Sequence, residues 1–325
     1  MRGVLSSILG VFLVSAISMA FPVAAQQPGL GINNTASLRL EPAWPEPNQT
    51  VAVSLDAYAF DLVGSTIAWF ISGEVQQSFT DQRDITITTG DLGSELRVEA
   101  NIKLRDGQII RASSIVAPSE VDMIIEADTQ THPQYHARAL GSIGSDIKII
   151  AIPHTNSALS AEQLTYIWKL NNRTLFGGSA RGRNVINLTM PAARESFLTV
   201  EVLNNDGVTL ARKTIILSPH DVEVEIYENN PLRGLRTSAV GKEFLQLSTE
   251  TNYQAIPYFA NTDTSNFLQE WSINGSVVDN QSTDPRSLTI RQVFTGEPIR
   301  VGYAIRNLQE FLQGGETEFE LSFGQ

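Results

Sequence analysis

Three tryptophans, Trp69, Trp168 and Trp271, recur at intervals of 99 and 103 residues along this 325-residue chain. Each follows a short lead-in that contains an apolar residue and is followed by residues that favour a tight turn, such as Asn274-Gly275 after the third. A period of about one hundred residues matches a whole domain and is far longer than a solenoid repeat. The spacing therefore predicts three tandem copies of one fold, each with its tryptophan in the core.

A second strand is predicted about thirty residues after each tryptophan, around Val98, Val200 and Val301. Apolar and polar side chains alternate along it, which is typical of an antiparallel sheet with one face in water. Short strands separated by turn residues, without an amphipathic helical pattern, indicate an all-β chain. We predict three tandem immunoglobulin-like antiparallel β-sandwiches after an N-terminal signal segment.

Two further sets of strands complete the predicted sandwiches. The strands before the tryptophans are expected at residues 50–59, 146–152 and 244–247, the last with a continuation at 255–258. The closing strands are expected at residues 109–116, 209–217 and 316–323, and the turn before the third of these is expected around Gly314-Gly315.

The junctions between the copies repeat as well, since Pro118 and Pro219 are 101 residues apart and each precedes a predicted first strand. The linkers are only a few residues long, so we expect neighbouring domains to form a semi-rigid rod. The predicted division is a signal peptide at residues 1–25 and immunoglobulin-like domains at residues 26–118, 119–218 and 219–325.

The first 25 residues have the pattern of a secretory signal peptide. Arg2 precedes an apolar run over residues 4–20, and small residues follow at 23–25. We expect cleavage after Ala25 and export, with periplasmic, cell-surface and secreted destinations all open. An uncleaved signal anchor that tethers the protein to a membrane is the alternative.

Charge and composition exclude several classes of function. The chain carries 23 Lys and Arg against 35 Asp and Glu, and no basic cluster is visible, so nucleic acid is not an expected partner. It has no cysteine, which excludes a lipid-anchored lipoprotein, thiol catalysis and thiolate metal sites. His132 and His136 flank Pro133 in a predicted loop, where a four-residue spacing does not form a metal pair. We therefore predict no catalytic residue, no cofactor and no metal.

Two uses of the plentiful carboxylates stay open. Glu120 and Asp122 at one junction, and Asp221 and Glu223 at the next, are candidates for calcium binding between domains, although each pair lacks further ligands. A glycosidase-like acid pair is the other, because its geometry cannot be read from sequence.

Trp44 lies outside the repeat, in a proline-rich segment, and is the candidate contact for a protein partner or a glycan. The alternative is a tryptophan folded back over the open end of the first sandwich. Trp69, Trp168 and Trp271 are predicted to be structural core residues of the repeats and not a binding site.

At the tryptophan strands, including Tyr166-Ile167-Trp168, the chain resembles bacterial exported proteins with tandem immunoglobulin-like modules of the polycystic-kidney-disease type. It lacks the Asp and Gly cluster that usually follows the tryptophan in that type, and it lacks the disulfide of true immunoglobulin domains. The resemblance implies spacing, adhesion or assembly at a cell surface. We therefore predict a non-enzymatic cell-envelope or surface protein whose partner is a protein or a glycan. The alternatives are a carbohydrate-binding or enzyme-accessory protein and an envelope hydrolase.

Overall fold

A computed structural model describes residues 35–58, 60–280, 282–292 and 297–324. The signal segment predicted at residues 1–25 lies outside this part of the chain. The described residues form an all-β structure in which the regular elements are strands and one 3-10 turn, Gln77–Phe79. Among them, no helix is long and apolar enough to span a membrane. The strands group into three modules in chain order.

Module 1 is a sandwich of a three-stranded and a four-stranded antiparallel sheet, with strand orders β1-β2-β5 and β4-β3-β6-β7. Trp69 lies on β3 and faces the opposite sheet. The strands are β1 (Thr35–Glu41), β2 (Thr50–Tyr58), β3 (Thr66–Ile71), β4 (Glu74–Val75), β5 (Asp84–Thr88), β6 (Leu96–Lys103) and β7 (Ile109–Val116).

Module 2 repeats this arrangement with sheets β13-β9-β8 and β11-β10-β14-β15, and the short β12 also pairs with β10. A long loop, residues 128–145, separates its first two strands. The strands are β8 (Glu120–Ala127), β9 (Asp146–His154), β10 (Thr165–Leu170), β11 (Arg173–Thr174), β12 (Ala180–Arg181), β13 (Val185–Thr189), β14 (Ser196–Leu203) and β15 (Thr209–Leu217).

Module 3 has sheets β17-β16-β19-β22 and β18-β24-β23-β20-β21. The pairing of β18 with β24 is parallel, whereas the other pairings are antiparallel. The strands are β16 (Glu223–Asn230), β17 (Gly234–Leu235), β18 (Glu243–Gln246), β19 (Glu250–Tyr258), β20 (Phe267–Ile273), β21 (Ser276–Val278), β22 (Ser287–Arg291), β23 (Ile299–Asn307) and β24 (Gly314–Phe323).

The strand order gives all three modules the immunoglobulin-like layout. In each, the strand before the tryptophan strand pairs with the first strand of the module and with the strand that follows the tryptophan hairpin. In the other sheet, the tryptophan strand pairs with the first of the two closing strands, and that strand pairs with the second. This division is the one that defines the immunoglobulin sandwich. Three separate hydrophobic clusters, one within each module, fill the space between the sheets.

Two expectations for module 3 were wrong. Residues 244–247 do not belong to the strand before the tryptophan, because β18 lies in the same sheet as the tryptophan strand and pairs there with β24. The strand before the tryptophan is β19 alone, in the other sheet. Gly314 and Gly315 are not turn residues, since they pair with Arg306 and Ile305 at the start of β24. The turn is instead the loop at residues 308–313.

The three tryptophans occupy the same place in their modules. Trp69, Trp168 and Trp271 are 0%, 1% and 1% exposed. Each indole N–H donates to a backbone carbonyl 13 to 15 residues further on. The acceptors are Gln82 at 2.9 Å, Arg183 at 2.9 Å and Pro285 at 3.0 Å. A buried indole needs such a partner, so the same hydrogen bond closes the core in each copy.

Candidate functional site: the two joints between modules

The residues that differ between modules meet at two places, where the modules contact each other. Joint 1–2 is the contact between modules 1 and 2, and joint 2–3 is the contact between modules 2 and 3. Trp44, the loop at residues 155–162, the loop at residues 128–145 and the loop at residues 261–266 all take part in them. The joints are therefore the candidate functional regions of the chain.

Joint 1–2 is built around Trp44. Its half-buried indole donates an Nε1–H hydrogen bond at 3.2 Å to the carbonyl of Thr209, the first residue of β15 in module 2. The guanidinium carbon of Arg212 lies 5.8 Å from the ring centroid, within the range of a cation–π contact. Trp44 therefore contacts module 2, which neither the partner contact nor the alternative of a tryptophan folded over the first sandwich had predicted. A glycan or protein contact at Trp44 stays a prediction.

Polar contacts flank Trp44 on both sides. Lys213 Nζ lies 2.6 Å from Glu46 Oε1, and the backbone N–H of Ser119 donates to the carbonyl of Pro45 at 2.9 Å. The hydrogen bond to Glu46 is the largest of the effects that raise the pKa of Lys213 above its usual range, so the ammonium keeps its charge in the joint. The segment that carries Trp44 is thus fixed to module 2 by backbone and side chain.

The loop at residues 155–162 and the first junction also contribute. The Asn156 amide donates to the carbonyl of Ser94 in module 1 at 3.0 Å. Asp122, one of the calcium candidates, faces His154 at 3.1 Å. Within the described residues, no group of three His, Asp or Glu side chains is arranged to hold a metal ion.

Joint 2–3 is formed by the 128–145 loop, which lies against module 3. Gln130 N–H donates to the carbonyl of Ala260 at 2.7 Å, and Phe259 N–H donates to the carbonyl of Gln130 at 2.9 Å. Further along, His220 N–H donates to the carbonyl of Gly141 at 2.9 Å. Because these are backbone hydrogen bonds, the loop is docked in a fixed register, as an added strand would be.

A buried polar cluster stabilises the same joint. Ser142 and Gln313 are 1% and 0% exposed, although they come from different modules. Gln313 Nε2 donates to Ser142 Oγ at 2.7 Å, and Ser142 Oγ donates to the carbonyl of Phe259 at 2.6 Å. The Asn307 amide donates to Gln313 Oε1 at 2.8 Å. Buried polar groups are costly when unpaired, so this cluster favours one relative placement of the modules.

His132 is part of this contact, whereas His136 is exposed. The buried His132 ring has its Nε2 3.0 Å from the carbonyl of Arg236, and its Nδ1 accepts the Gln134 N–H at 3.0 Å. These partners correspond to a ring with its proton on Nε2. The ring centroid lies 4.8 Å from that of Tyr227, so His132 packs as an aromatic on module 3.

A cleft of about 620 Å³ opens between the 128–145 loop and the outer face of the β17-β16-β19-β22 sheet. Its ion pair is Arg286 with Asp284, where Nε and Oδ1 are 3.2 Å apart. Burial opposes ionisation of Asp284, but hydrogen bonds from Arg286 and Gln254 outweigh it and lower the pKa of the carboxyl.

The hydrolase alternative needs a perturbed carboxylate pair in such a cleft. Asp284 is the single carboxylate among the residues that line it, and a lowered pKa is the opposite of what a general acid requires. Glu225 has a pKa raised by burial and by the charge of Glu223, but neither residue lines the cleft. The geometry of the cleft therefore offers binding groups and no acid pair.

An exposed apolar patch lies beside joint 2–3. Phe311 and Leu312, in the loop at residues 308–313, are 76% and 70% exposed. Together with Leu268 they border a groove of about 510 Å³ on the outer face of the second sheet of module 3. Clustered exposed apolar side chains are more typical of contact surfaces than scattered ones.

Sequence reasoning missed the residues that build the joints. Ser142, Gln313 and Arg286 belong to no motif, and they are separated in sequence by up to 171 residues. The available signal was indirect: the loops that are longer in one copy than in the others are the loops that contact a neighbouring module.

No protein-family model matches the chain, and no curated protein matches its sequence. Solved structures that are similar to it include the three N-terminal domains of the bacteriophage RB49 highly immunogenic outer capsid protein. That match has 11% identity over 90% of this chain and 100% of the other, with a TM-score of 0.26. The central fibronectin-III array of RIM-binding protein matches with 11% identity over 90% and 98%, with a TM-score of 0.30.

A third similar structure is SGBP-B of the Bacteroides ovatus mixed-linkage glucan utilization locus, in complex with a mixed-linkage heptasaccharide. It has 12% identity over 90% of this chain and 71% of the other, with a TM-score of 0.24. The assignment of tandem immunoglobulin-like modules rests on the strand order within this chain.

Proposed function

We propose that this chain is a non-enzymatic exported protein that acts as a semi-rigid spacer, adhesin or assembly component at the cell envelope. The observation that carries the proposal is the way the modules are joined. Both joints contain hydrogen bonds between groups from different modules, and joint 2–3 buries the Ser142 hydroxyl of module 2, whose two partners belong to module 3. Such joints hold modules in one orientation, as a spacer requires.

The apolar patch at Phe311 and Leu312 supports the adhesin or assembly role over a spacer without contacts of its own. Export is supported by the signal-like pattern of residues 1–25. The absence of cysteine from the whole sequence means that stability outside the cytoplasm comes from packing and not from disulfides.

Rigidity of the joints is directly measurable because the chain has no native cysteine to interfere with site-specific labels. Spin labels at Ser113→Cys and Thr174→Cys report joint 1–2, and labels at Thr174→Cys and Ser276→Cys report joint 2–3. All three positions are exposed and lie in different modules. We expect narrow distributions of the distance between the two labels in pulsed electron–electron double resonance.

A label pair within module 1, Thr86→Cys with Ser113→Cys, gives the width expected for a single rigid body. Distributions between modules that match this control support the spacer proposal. Distributions several times broader at both joints contradict it, because the modules would then move independently. Cell fractionation tests the export component, which fails if the protein remains in the cytoplasm.

A further inference from the structure

We propose that the cleft at joint 2–3 binds a neutral saccharide, a property that goes beyond the spacer role. The cleft has a volume of about 620 Å³, within the range of about 300–1,000 Å³ usual for small-molecule sites. Its walls come from two modules: the 128–145 loop contributes Gln130 and Thr131, and module 3 contributes Asn229, Gln254 and Arg286. Both sides are polar, so the cleft suits a ligand that forms hydrogen bonds on two faces.

The charges in the cleft cancel. Arg286 and Asp284 are the charged residues that line it, and they are paired through Nε–Oδ1 at 3.2 Å and Nη2–Oδ2 at 3.3 Å. An anion would have to compete with Asp284 for the guanidinium, and a cation would have to compete with Arg286 for the carboxylate. A neutral ligand leaves the ion pair intact, so the electrostatics favour a neutral ligand.

The polar side chains around the ion pair are held in place before any ligand arrives. Arg286 Nη1 donates to Gln130 Oε1 at 2.8 Å, and Gln254 Nε2 donates to Asp284 Oδ2 at 3.0 Å. Gln130 also donates from Nε2 to the carbonyl of Asn261 at 2.8 Å. Groups fixed in this way lose little conformational entropy when they bind, which increases affinity.

Other polar groups in the cleft have capacity to spare. The amide of Asn229 and the hydroxyls of Thr131 and Thr264 line the cleft, and they have no hydrogen-bond partner within the described part of the chain. Amides and hydroxyls both donate and accept, as sugar hydroxyls do. Ile256 and Leu235 add apolar wall that suits the C–H face of a sugar ring.

A peptide is the competing neutral ligand. Peptides recognised by sheets usually pair with the backbone of an edge strand. Here β17 already pairs with β16 at that edge, and the cleft lies over the outer face of the sheet, where Asn229 and Gln254 project as side chains. Recognition by side-chain groups on several elements favours a ring of hydroxyls over an extended backbone.

The test is calorimetric titration of the full chain with cellohexaose, xylohexaose and maltohexaose, and with trigalacturonic acid as an anionic control. We expect at least one neutral hexasaccharide to bind and the anionic control not to bind. Absence of binding by all three at millimolar concentration overturns the proposal, as does preferential binding of the uronic acid.

The site is tested with Asn229→Ala and Thr131→Ala. Neither side chain has an intramolecular hydrogen-bond partner among the described residues, so the fold and the joint should be retained. Each variant should weaken binding about tenfold, as the loss of one or two hydrogen bonds does. Asn101→Ala and Thr86→Ala, on strands of module 1, are matched controls that should bind as the wild type does.

Saccharide binding that is unchanged in both cleft variants places the site elsewhere and overturns the assignment. A neutral hexapeptide of serine and glutamine provides the last comparison. If it displaces the saccharide and depends on the same two residues, the cleft is a peptide site and the saccharide proposal is wrong. The saccharide proposal and the spacer proposal can fail separately, because the binding experiments use different variants and a different readout from the rigidity measurement.

Discussion

Replacement of Gln313 with leucine should open joint 2–3 without unfolding the modules. The side chain is completely buried and makes three hydrogen bonds, to Ser142 Oγ at 2.7 Å, to Asn261 Oδ1 at 3.2 Å and from Asn307 Nδ2 at 2.8 Å. Leucine has a similar volume, so the cavity contribution is small. Of these three hydrogen bonds, only the one to Ser142 crosses the joint, because Asn261 and Asn307 belong to module 3 as Gln313 does. The docked state should therefore lose about 1–1.5 kcal/mol relative to the open one.

Hydrogen exchange measured by mass spectrometry reports this opening. The N–H groups of Gln130 and Phe259 form hydrogen bonds across the joint, so their exchange requires the joint to open. A loss of about 1–1.5 kcal/mol corresponds to exchange faster by about one order of magnitude. Peptides from the three cores should exchange as in the wild type.

Gln309→Leu is the matched control. Gln309 lies in the same loop, is exposed, and makes a single side-chain hydrogen bond to Asn266 at 3.3 Å. Its replacement should change the stability of the joint by less than about 0.5 kcal/mol. If Gln313→Leu changes exchange at the joint no more than this control does, the buried polar cluster does not hold the modules together and the reasoning is refuted.

Three other outcomes are expected. Trp168→Ala should destabilise module 2 by about 3–5 kcal/mol in urea unfolding, because it removes the largest side chain of the core; a loss below about 1 kcal/mol would show that the indole is not the core residue it is taken to be. Trp44→Ala should broaden the distance distribution across joint 1–2 while both cores keep their unfolding midpoints; loss of retention on a polysaccharide column with an unchanged distribution would instead mark Trp44 as a glycan contact. The lowered pKa of Asp284 means that its ionised form stabilises the folded state above the ordinary value of 3.8, and that this contribution is lost as the pH falls through the folded-state value. Exchange protection at residues 128–134 should therefore fall in acid for the wild type, whereas Asp284→Asn should lack this acid step and be less protected at neutral pH.

Much of the fold follows from local sequence. The closing strands were predicted at residues 109–116 and 209–217, and β7 and β15 have those bounds. Alternation and turn residues act over a few positions, so they can be read without knowledge of the rest of the chain. The expected strand at 244–247 was assigned to the wrong sheet, because β18 pairs with β24 more than seventy residues away and no local pattern records that pairing.

The candidate site was accessible from sequence only in outline. The sequence singles out Trp44 and the loop that carries His132 and His136, and both contribute to the joints. Their role as contacts between modules was not predicted. Arg286 and Gln130 had no distinguishing pattern, because their importance comes from meeting each other across 156 residues.

The sequence by itself determined the number of modules, their two-sheet character and the position of each tryptophan, because periodic burial and turn chemistry are written in short segments. The tertiary structure decided how the modules meet. Ser142 and Gln313, like Trp44 and Thr209, come together only because three sandwiches are docked in a particular orientation. That orientation depends on many weak contacts between distant residues, which no local periodicity encodes.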